Sequence, residues 1–599
     1  MLEIIVEGQR LELGTDTSVS LAMEQPLTST DKVPAAYTLS FDLPRSPRNC
    51  QLLGHPERIA SRNGFEKRPA RICLAGLEVA TGELSIEDVQ EALTVQFVGA
   101  IFPEGIRKPL YKLDFGRLDL GPVAPPVADN GRYVYDTSAA GLAYNELLVA
   151  NLTSATADII AAPISIADAE YLTIESPTPE DPYTNQRLFF LNAFGTSART
   201  RGRGYVMDSS RGGRISKILP AFRVGWMFEQ LFGDACKNNV FREEWRQLVL
   251  VSLWHPKYQV KDNTPVWDVA DGRVSLRFAD FMPDVPANEF VAEMLKIACA
   301  SLYVKGGEFT IERNEDILNR TVYRDWSDKV MGTPTISMEP GQRYNFGYSS
   351  GDDDEVPAER VITEIGSIRE MIAASEQADS ELKTYHVTST GQTFENVFDD
   401  TTANRCRYTL LKQDLGTRQE DEDEADDTEE FDMATNVSVL KTVPARYIGR
   451  DDDPTADIDA NKLFYFVPQT AEALEERPQN LTVALWKGMS RGLVGGVPNA
   501  EQTYPYLSHC NYDAEGNRLD DVTLQLTGST LARHAAYKAW IEKNKMVVKA
   551  ELLLTPLDLH RLDLRDKFYL KGKYFFIRRL EITMTPERLE AAEAEFIEV

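Results

Sequence analysis

Apolar residues recur at intervals of three and four from Ala287, at Phe290, Val291, Met294, Leu295, Ala298 and Leu302, the period of a helix with one buried face. Asp284 stands where an N-cap belongs, and Pro286 suits a first turn, in which its missing N–H is no loss. The period then changes to two through Leu302 and Val304, reverses at Gly306-Gly307 and resumes at Phe309 and Ile311. That pattern predicts a hairpin whose turn needs positive φ. Phe278 to Arg320 therefore reads as helix 287–302, hairpin 302–312 and a short helix. It is a packing unit without evident chemistry.

Elsewhere the alternation is β-like. Leu2 to Val6 and Arg10 to Leu13 flank Gly8-Gln9 as a hairpin, Val19, Leu21 and Met23 alternate, and Tyr37 to Leu43 and Ala92 to Ala100 do the same. Between them Ser46-Pro47 and Gly54 delimit a short helix. In PAFRVGWMFEQLFGDA, Val224, Met227, Phe228 and Leu231 share a helical face closed by Gly233, and the apolar stretch Asn239 to Tyr258 comes next. Near the end, Ser529 or Thr530 caps a helix carrying Tyr537, Trp540 and Ile541. A strand from Met546 to Leu554, a turn at Thr555 to Leu559, strands around Lys571-Gly572-Lys573 and a last strand at Glu595 to Val599 complete a compact sheet.

These patterns predict an α+β, multidomain, β-rich chain. The expected units are an N-terminal β-barrel-like or sandwich domain (1–116), a loop-rich insertion (117–219) and an α/β helix–hairpin domain (220–325). An acidic β domain (326–450), a second loop-rich insertion (451–528) and a C-terminal helix with antiparallel sheet (529–599) complete the order. At 599 residues the chain has room for about four domains.

Charge adds a constraint. The net charge is −29 and the pI about 4.8, which opposes general affinity for nucleic acid or an anionic membrane. Residues 351–460 hold 29 acidic against 10 basic residues, so much of the excess lies in one region, read as a solvated face or an acid-lined surface. The six cysteines form no C-x-x-C pair, a usage that suits reduced thiols. MLEIIVEGQR lacks a basic segment leading into an apolar one, and no apolar run approaches a membrane span, so synthesis and folding in cytoplasm are expected.

Candidate chemistry is sparse. The histidines (55, 255, 386, 509, 534 and 560) show no zinc spacing, and neither a Walker A sequence, a strand-borne G-x-G-x-x-G nor a G-x-S-x-G elbow occurs. The loop NYDAEGNRLDDV from Asn511 has oxygen donors at three calcium-loop positions and glycine at the sixth. Val522, however, stands where the bidentate Glu belongs, so a hairpin turn is the simpler reading. Asp352 to Glu355 reads as a charged surface loop, and the basic glycine-rich run Arg199 to Arg214 as a solvated loop rather than a phosphate site. No catalytic, cofactor-binding or metal-binding residue is assigned, and no cofactor is expected.

The order of units carries more information than any residue. A β domain, PAFRVGWMFEQLFGDA, the unit FADFMPDVPANEFVAEMLKIACASLYVKGGEFTIERNEDIL, and LLLTPLDLHRLDL with YLKGKYFFIRRLEI after it together resemble baseplate hub proteins of phage tails and related contractile machines, particularly those of Bacteroidetes-type phages and prophages. The likeness spans about half of the chain. It implies a non-enzymatic virion protein at the distal end of the tail, a homotrimer whose tail-tube-type β-barrel domains form a pseudo-sixfold ring around a DNA channel. The partners it implies are the tail tube protein, distal tail or baseplate ring proteins, a tail-tip spike or fibre and the tape measure protein, with phage DNA passing without specific binding. Alternatives are a tail-tip or tail-fibre attachment protein and, in another class, a cell-wall hydrolase or glycan-binding module.

Overall fold

The computed structural model describes residues 2–29, 37–38, 40–61, 65–99, 105–119, 127–129, 132–134, 139–166, 190–192, 194–197, 202–205, 207–208, 214–215, 218–233, 236–252, 254, 268–270, 273–348, 362–363, 376–379, 384–387, 392–400, 405–413, 429–446, 464–470, 477–494, 497–508, 524 and 529–599. The elements used below are, in chain order, β1 (Leu2–Val6), β2 (Val19–Glu24), β3 (Phe41–Pro44), α1 (Pro47–Leu52), β4 (Arg68–Leu74), β5 (Leu77–Val89), β6 (Ala92–Val98), α2 (Ala139–Leu152), β7 (Ala221–Arg223), α3 (Val224–Phe232), β8 (Leu248–Val251), α4 (Ala287–Ala298), β9 (Ala300–Lys305), β10 (Glu308–Arg313), α5 (Asn314–Leu318), β11 (Tyr323–Asp325), β12 (Val330–Glu339), β13 (Leu481–Val494), α6 (Ser529–Glu542), β14 (Lys545–Leu552), α7 (Pro556–Arg561), β15 (Lys567–Leu570), β16 (Lys573–Met584) and β17 (Ala592–Glu598).

Both ends of the sequence enter one 14-stranded sheet. Its path runs from the two-residue strand Gln9–Arg10 through β1, β4, β5, β6 and Tyr37–Thr38 to β2, then across to β16, β17, β14 and β12. The junction is antiparallel, with Val19 opposite Met584 and Glu24 opposite Arg579. Thus the segments expected as separate first and last units share a ladder and one apolar layer, in which Ile4, Leu21 and Val95 pack with Ile577, Ile582 and Phe596. A second, ten-stranded sheet holds β7, β8 and β13. The fold is a β-rich, multidomain α+β architecture whose sheets curl into half-barrels.

Several expectations need correction. Helix α4 stops at Ala298 rather than continuing to 302, because Cys299 takes a left-handed conformation (φ 48°) that ends the helix and lets β9 begin at Ala300. Asp284 does not cap it. The first helical N–H groups donate instead to loop carbonyls, Ala287 to Lys108 and Asn288 to Ile106 (3.1 and 2.8 Å), while the Asp284 N–H donates to Pro478 O. Strands β4 and β5 are hard to see in the sequence because small residues, Ala80 among them, occupy buried positions and weaken the alternation. The stretch expected as a turn at Thr555 to Leu559 begins a helix, α7, held by a reciprocal capping box between Thr555 and Asp558.

The two segments read as loop-rich insertions contribute to the largest core. Leu148 and Leu152 of α2, Ile160, Phe194 and Tyr205 are buried there together with Val483, Leu485, Tyr504 and Tyr506. In the basic run, Gly202–Tyr205 pairs with Phe194–Ser197, and the buried Tyr205 hydroxyl donates to Ala161 O at 2.8 Å, so this part is packed rather than solvated. The large core also receives Met227 and Phe228 of α3 and Phe290, Val291 and Met294 of α4. Most of the acidic stretch 351–428, the loop 511–522 and Asp352 to Glu355 lie outside the described residues.

Candidate functional site

Among the described residues no group of three His, Cys, Asp or Glu side chains is placed to hold a metal. Three histidine side chains are described, each with a local partner. His55 Nδ1 lies 3.0 Å from Glu57, His560 Nδ1 lies 2.8 Å from Glu78 O, and His534 is buried between Tyr344 and Ile297. Cys50, Cys73, Cys236 and Cys299 are free thiols, and burial pushes the Cys299 thiol up to about 12, far from a nucleophile's range. The two features that stand out are a joint and an edge.

At the joint the helix–hairpin unit meets the long sheet. Gln25, just past β2, is 1% exposed; its amide N donates to Leu564 O (2.8 Å) and its amide O accepts from the Tyr303 hydroxyl of β9 (2.8 Å). Its backbone N–H donates to Arg578 O of β16. One side chain therefore ties three segments far apart in sequence. Beside it Arg320 makes a bidentate pair with Glu312 through Nε (3.0 Å) and Nη2 (2.8 Å), Arg565 reaches Glu312 (3.3 Å) and pairs with Asp563 (2.7 Å), and Arg324 pairs with Asp566 (2.8 Å). Burial alone would raise the Asp563 carboxyl, but hydrogen bonds and charge from Arg565 outweigh it and hold the carboxyl below its usual range. Tyr303, Lys305, Thr81, His560, Leu562 and Arg565 help to wall a recess of ≈ 160 Å³ at this joint.

A third apolar cluster fills the other side of the joint. Leu27, Cys299, Tyr303, Ile317, Tyr344, Phe431, Tyr537, Trp540 and Phe576 meet there. The Tyr537 hydroxyl donates to Leu27 O (2.6 Å) and Trp540 Nε1 to Glu598 O (3.1 Å), so α6 is bonded to both ends of the chain. At the end of α6 the buried Lys545 donates to the carbonyls of Ile541 (2.8 Å) and Lys543 (3.0 Å). Burial lowers its pKa to about 8.

The edge is β12. It pairs with β14 on one side, from Val330 opposite Leu552 to Glu339 opposite Lys545, and has no strand neighbour on the other among the described residues. Ile336 and Met338 lie opposite Val548 and Met546, which pack in or against the sheet's apolar layer, yet they are 60% and 61% exposed. The core-facing row thus continues past the core into open space. The expected elements do not include this strand, although VMGTPTISME carries a legible alternation from Thr335 onward.

No family model matches the chain, and no curated protein matches it. Among solved structures it is similar to the 43 kDa tail protein of prophage MuSo2 from Shewanella oneidensis, at 7% identity and a TM-score of 0.27 over 100% of this chain and 98% of that one. It is also similar to the tail protein from Neisseria meningitidis MC58, at 7% identity and a TM-score of 0.24 over 100% and 96% of the two chains. At these scores the likenesses carry no argument about the fold or the work of this chain.

Proposed function

We propose that this chain is a structural virion protein of a phage tail, a baseplate hub that joins the tail tube to the tail tip. The observation that carries the reading is the continuous sheet built from both chain ends through β2 and β16, with the helix–hairpin unit pinned to it through Gln25 and Tyr303. Those are the units that carry the sequence resemblance, and an adaptor between rings needs rigid joints more than reactive groups. In this reading three copies surround a channel, meeting tail tube protein on one side and baseplate ring, spike or fibre and tape measure protein on the others. The net charge of −29 suits a channel through which DNA must pass without sticking.

The test is reconstitution. Purified protein mixed with the tail tube protein produced by the same phage or prophage should cap tube ends as threefold rings in negative-stain images. Protein that stays free of tubes under conditions where the tube protein polymerises would sink the hub assignment. Incubation with peptidoglycan separates the enzyme class, since hydrolysis abolished by one Asp or Glu replacement would overturn a structural role.

A further inference from the structure

The main path of the long sheet has one closed end and one open end; off that path, the short strands β3 and β11 each border a single strand, β6 and β15. At the closed end the terminal strand is only Gln9–Arg10, and α1 covers the chain just beyond it. Arg48 Nε donates to Arg10 O (3.3 Å), and Asn49 brackets Glu12 by donating to its carbonyl (2.9 Å) and accepting from its N–H (2.8 Å). At the open end β12 offers its backbone along a strand containing no Lys or Arg. Its only charge, Glu339, is already neutralised by both terminal nitrogens of Arg578, each at 2.6 Å. Natural edge strands are usually blunted by charge, because a bare edge templates open-ended association. Here a register shift between Met331 and Thr335 and the presence of Pro334 blunt the first half, and Thr335 to Glu339 remains regular and without a second strand neighbour among the described residues.

A head-to-tail joint between the ends of the main path needs two open ends, and the path has one. An isologous contact needs only one. We infer that β12 pairs antiparallel with β12 of a second copy about a two-fold axis at Ser337. That register sets Ile336 opposite the partner's Met338 on the core-facing side, Thr335 opposite the partner's Glu339 on the other, and Ser337 opposite itself. The segment T-I-S-M-E is self-complementary in this alignment, apolar facing apolar and the one carboxylate facing a hydroxyl. Despite the −29 charge of each copy, nothing at the contact line repels. Pairing covers Ile336 and Met338 and leaves the main path with two closed ends, so association stops at two copies along this edge. The inference concerns the free protein and stands independently of the tail reading, whose ring uses a threefold axis.

The experiment is site-directed cross-linking of the full chain. Ser337→Cys places two thiols directly opposite each other at a separation a disulfide can span. Thr335→Cys keeps its two copies four residues out of register, roughly 13 Å apart at the strand rise. Under mild oxidation Ser337→Cys should give a covalent dimer, Thr335→Cys at least tenfold less, and Ser337→Pro should lower the dimer fraction of the uncross-linked protein by light scattering. Circular dichroism and thermal melting of each variant verify folding, and the cysteine pair is read even if the proline variant fails to fold. Equal cross-linking of both cysteine variants overturns the inference, as does a folded Ser337→Cys protein that gives no covalent dimer. Threefold rings at tube ends without this cross-link would remove the two-fold contact and leave the hub assignment standing.

Discussion

His534 offers a direct check on how tightly α6 seals the joint. The ring is 1% exposed, with Nδ1 2.6 Å from the Tyr344 hydroxyl and Nε2 3.4 Å from Ile297 O. A carbonyl only accepts, so Nε2 carries the hydrogen and Nδ1 accepts from Tyr344; the neutral imidazole satisfies both partners. Burial, helped by the charge of Arg533 and opposed by the Ile297 carbonyl, lowers the pKa to about 4 from 6.5. Between those values the unfolded chain binds a proton that the folded chain does not. Stability from this site is therefore fully present above pH 6.5, falls as pH drops, and is gone below about 4. At 1.36 kcal/mol per unit the gap corresponds to about 3 kcal/mol. Denaturant unfolding of the wild type and His534→Gln at pH 7, 5.5 and 4.5 measures it. The variant should be less stable at pH 7, and the difference should shrink by about 2–3 kcal/mol at the lowest pH. A difference independent of pH would refute the assignment of a buried neutral ring.

Packing leads to further expectations. Phe290 is fully buried, 5.8 Å from the Phe228 ring, and Phe290→Ala should lower unfolding free energy by about 3–5 kcal/mol through the cavity it leaves; calorimetry reads this. Gln25→Ala strands the buried Tyr303 hydroxyl and should cost about 1–3 kcal/mol, with faster hydrogen exchange in β9 and at Leu564 as the readout. Gly341→Ala would put Cβ 1.9 Å from Glu542 O, so the link from β12 must shift, with about 2–4 kcal/mol lost in thermal unfolding.

How much of this fold is legible in the sequence depends on the range of the forces involved. The α4 helix and the β9–β10 hairpin are local, and the three-to-four and two-residue periods reveal them; Ser46, which accepts from the Asn49 N–H, likewise caps α1 where expected. What periodicity does not report is partners. Nothing in Val19 to Glu24 says that its neighbour is Lys573 to Met584. Nor does the polar Glu293 announce that it lies buried on α4, accepting from Lys296 Nζ (3.1 Å) and the Asn436 N–H (2.7 Å). The weakly patterned segments resemble insertions because buried residues such as Phe194 and Tyr205 are interspersed with glycines and polar residues. Their burial is decided by the sheet they join. The edge strand is inconspicuous for the opposite reason, since its apolar residues are those the core does not cover.

The ion network at the joint uses charge where an apolar contact would hold as well. Glu312 serves Arg320 and Arg565 together, and the guanidinium of Arg565 is held charged by Asp563 first and Glu312 after it. Taking such groups out of water offsets much of their attraction, so the network's net contribution to stability is small while its directional demands are strict. Removing Glu312 alone leaves two half-buried arginines short of a partner, and Glu312→Gln should destabilise the protein by about 1–3 kcal/mol. The double variant Glu312→Leu with Arg565→Met removes charge on both sides and should recover most of that loss. If the network sets orientation, the double variant should keep the melting temperature but widen the small-angle scattering profile, because the helix–hairpin unit would hold its place without holding its angle. An unchanged profile at unchanged stability would mean that Gln25, Tyr303 and the apolar cluster fix the angle without help, and that the charges of the network only fill the surface of the seam.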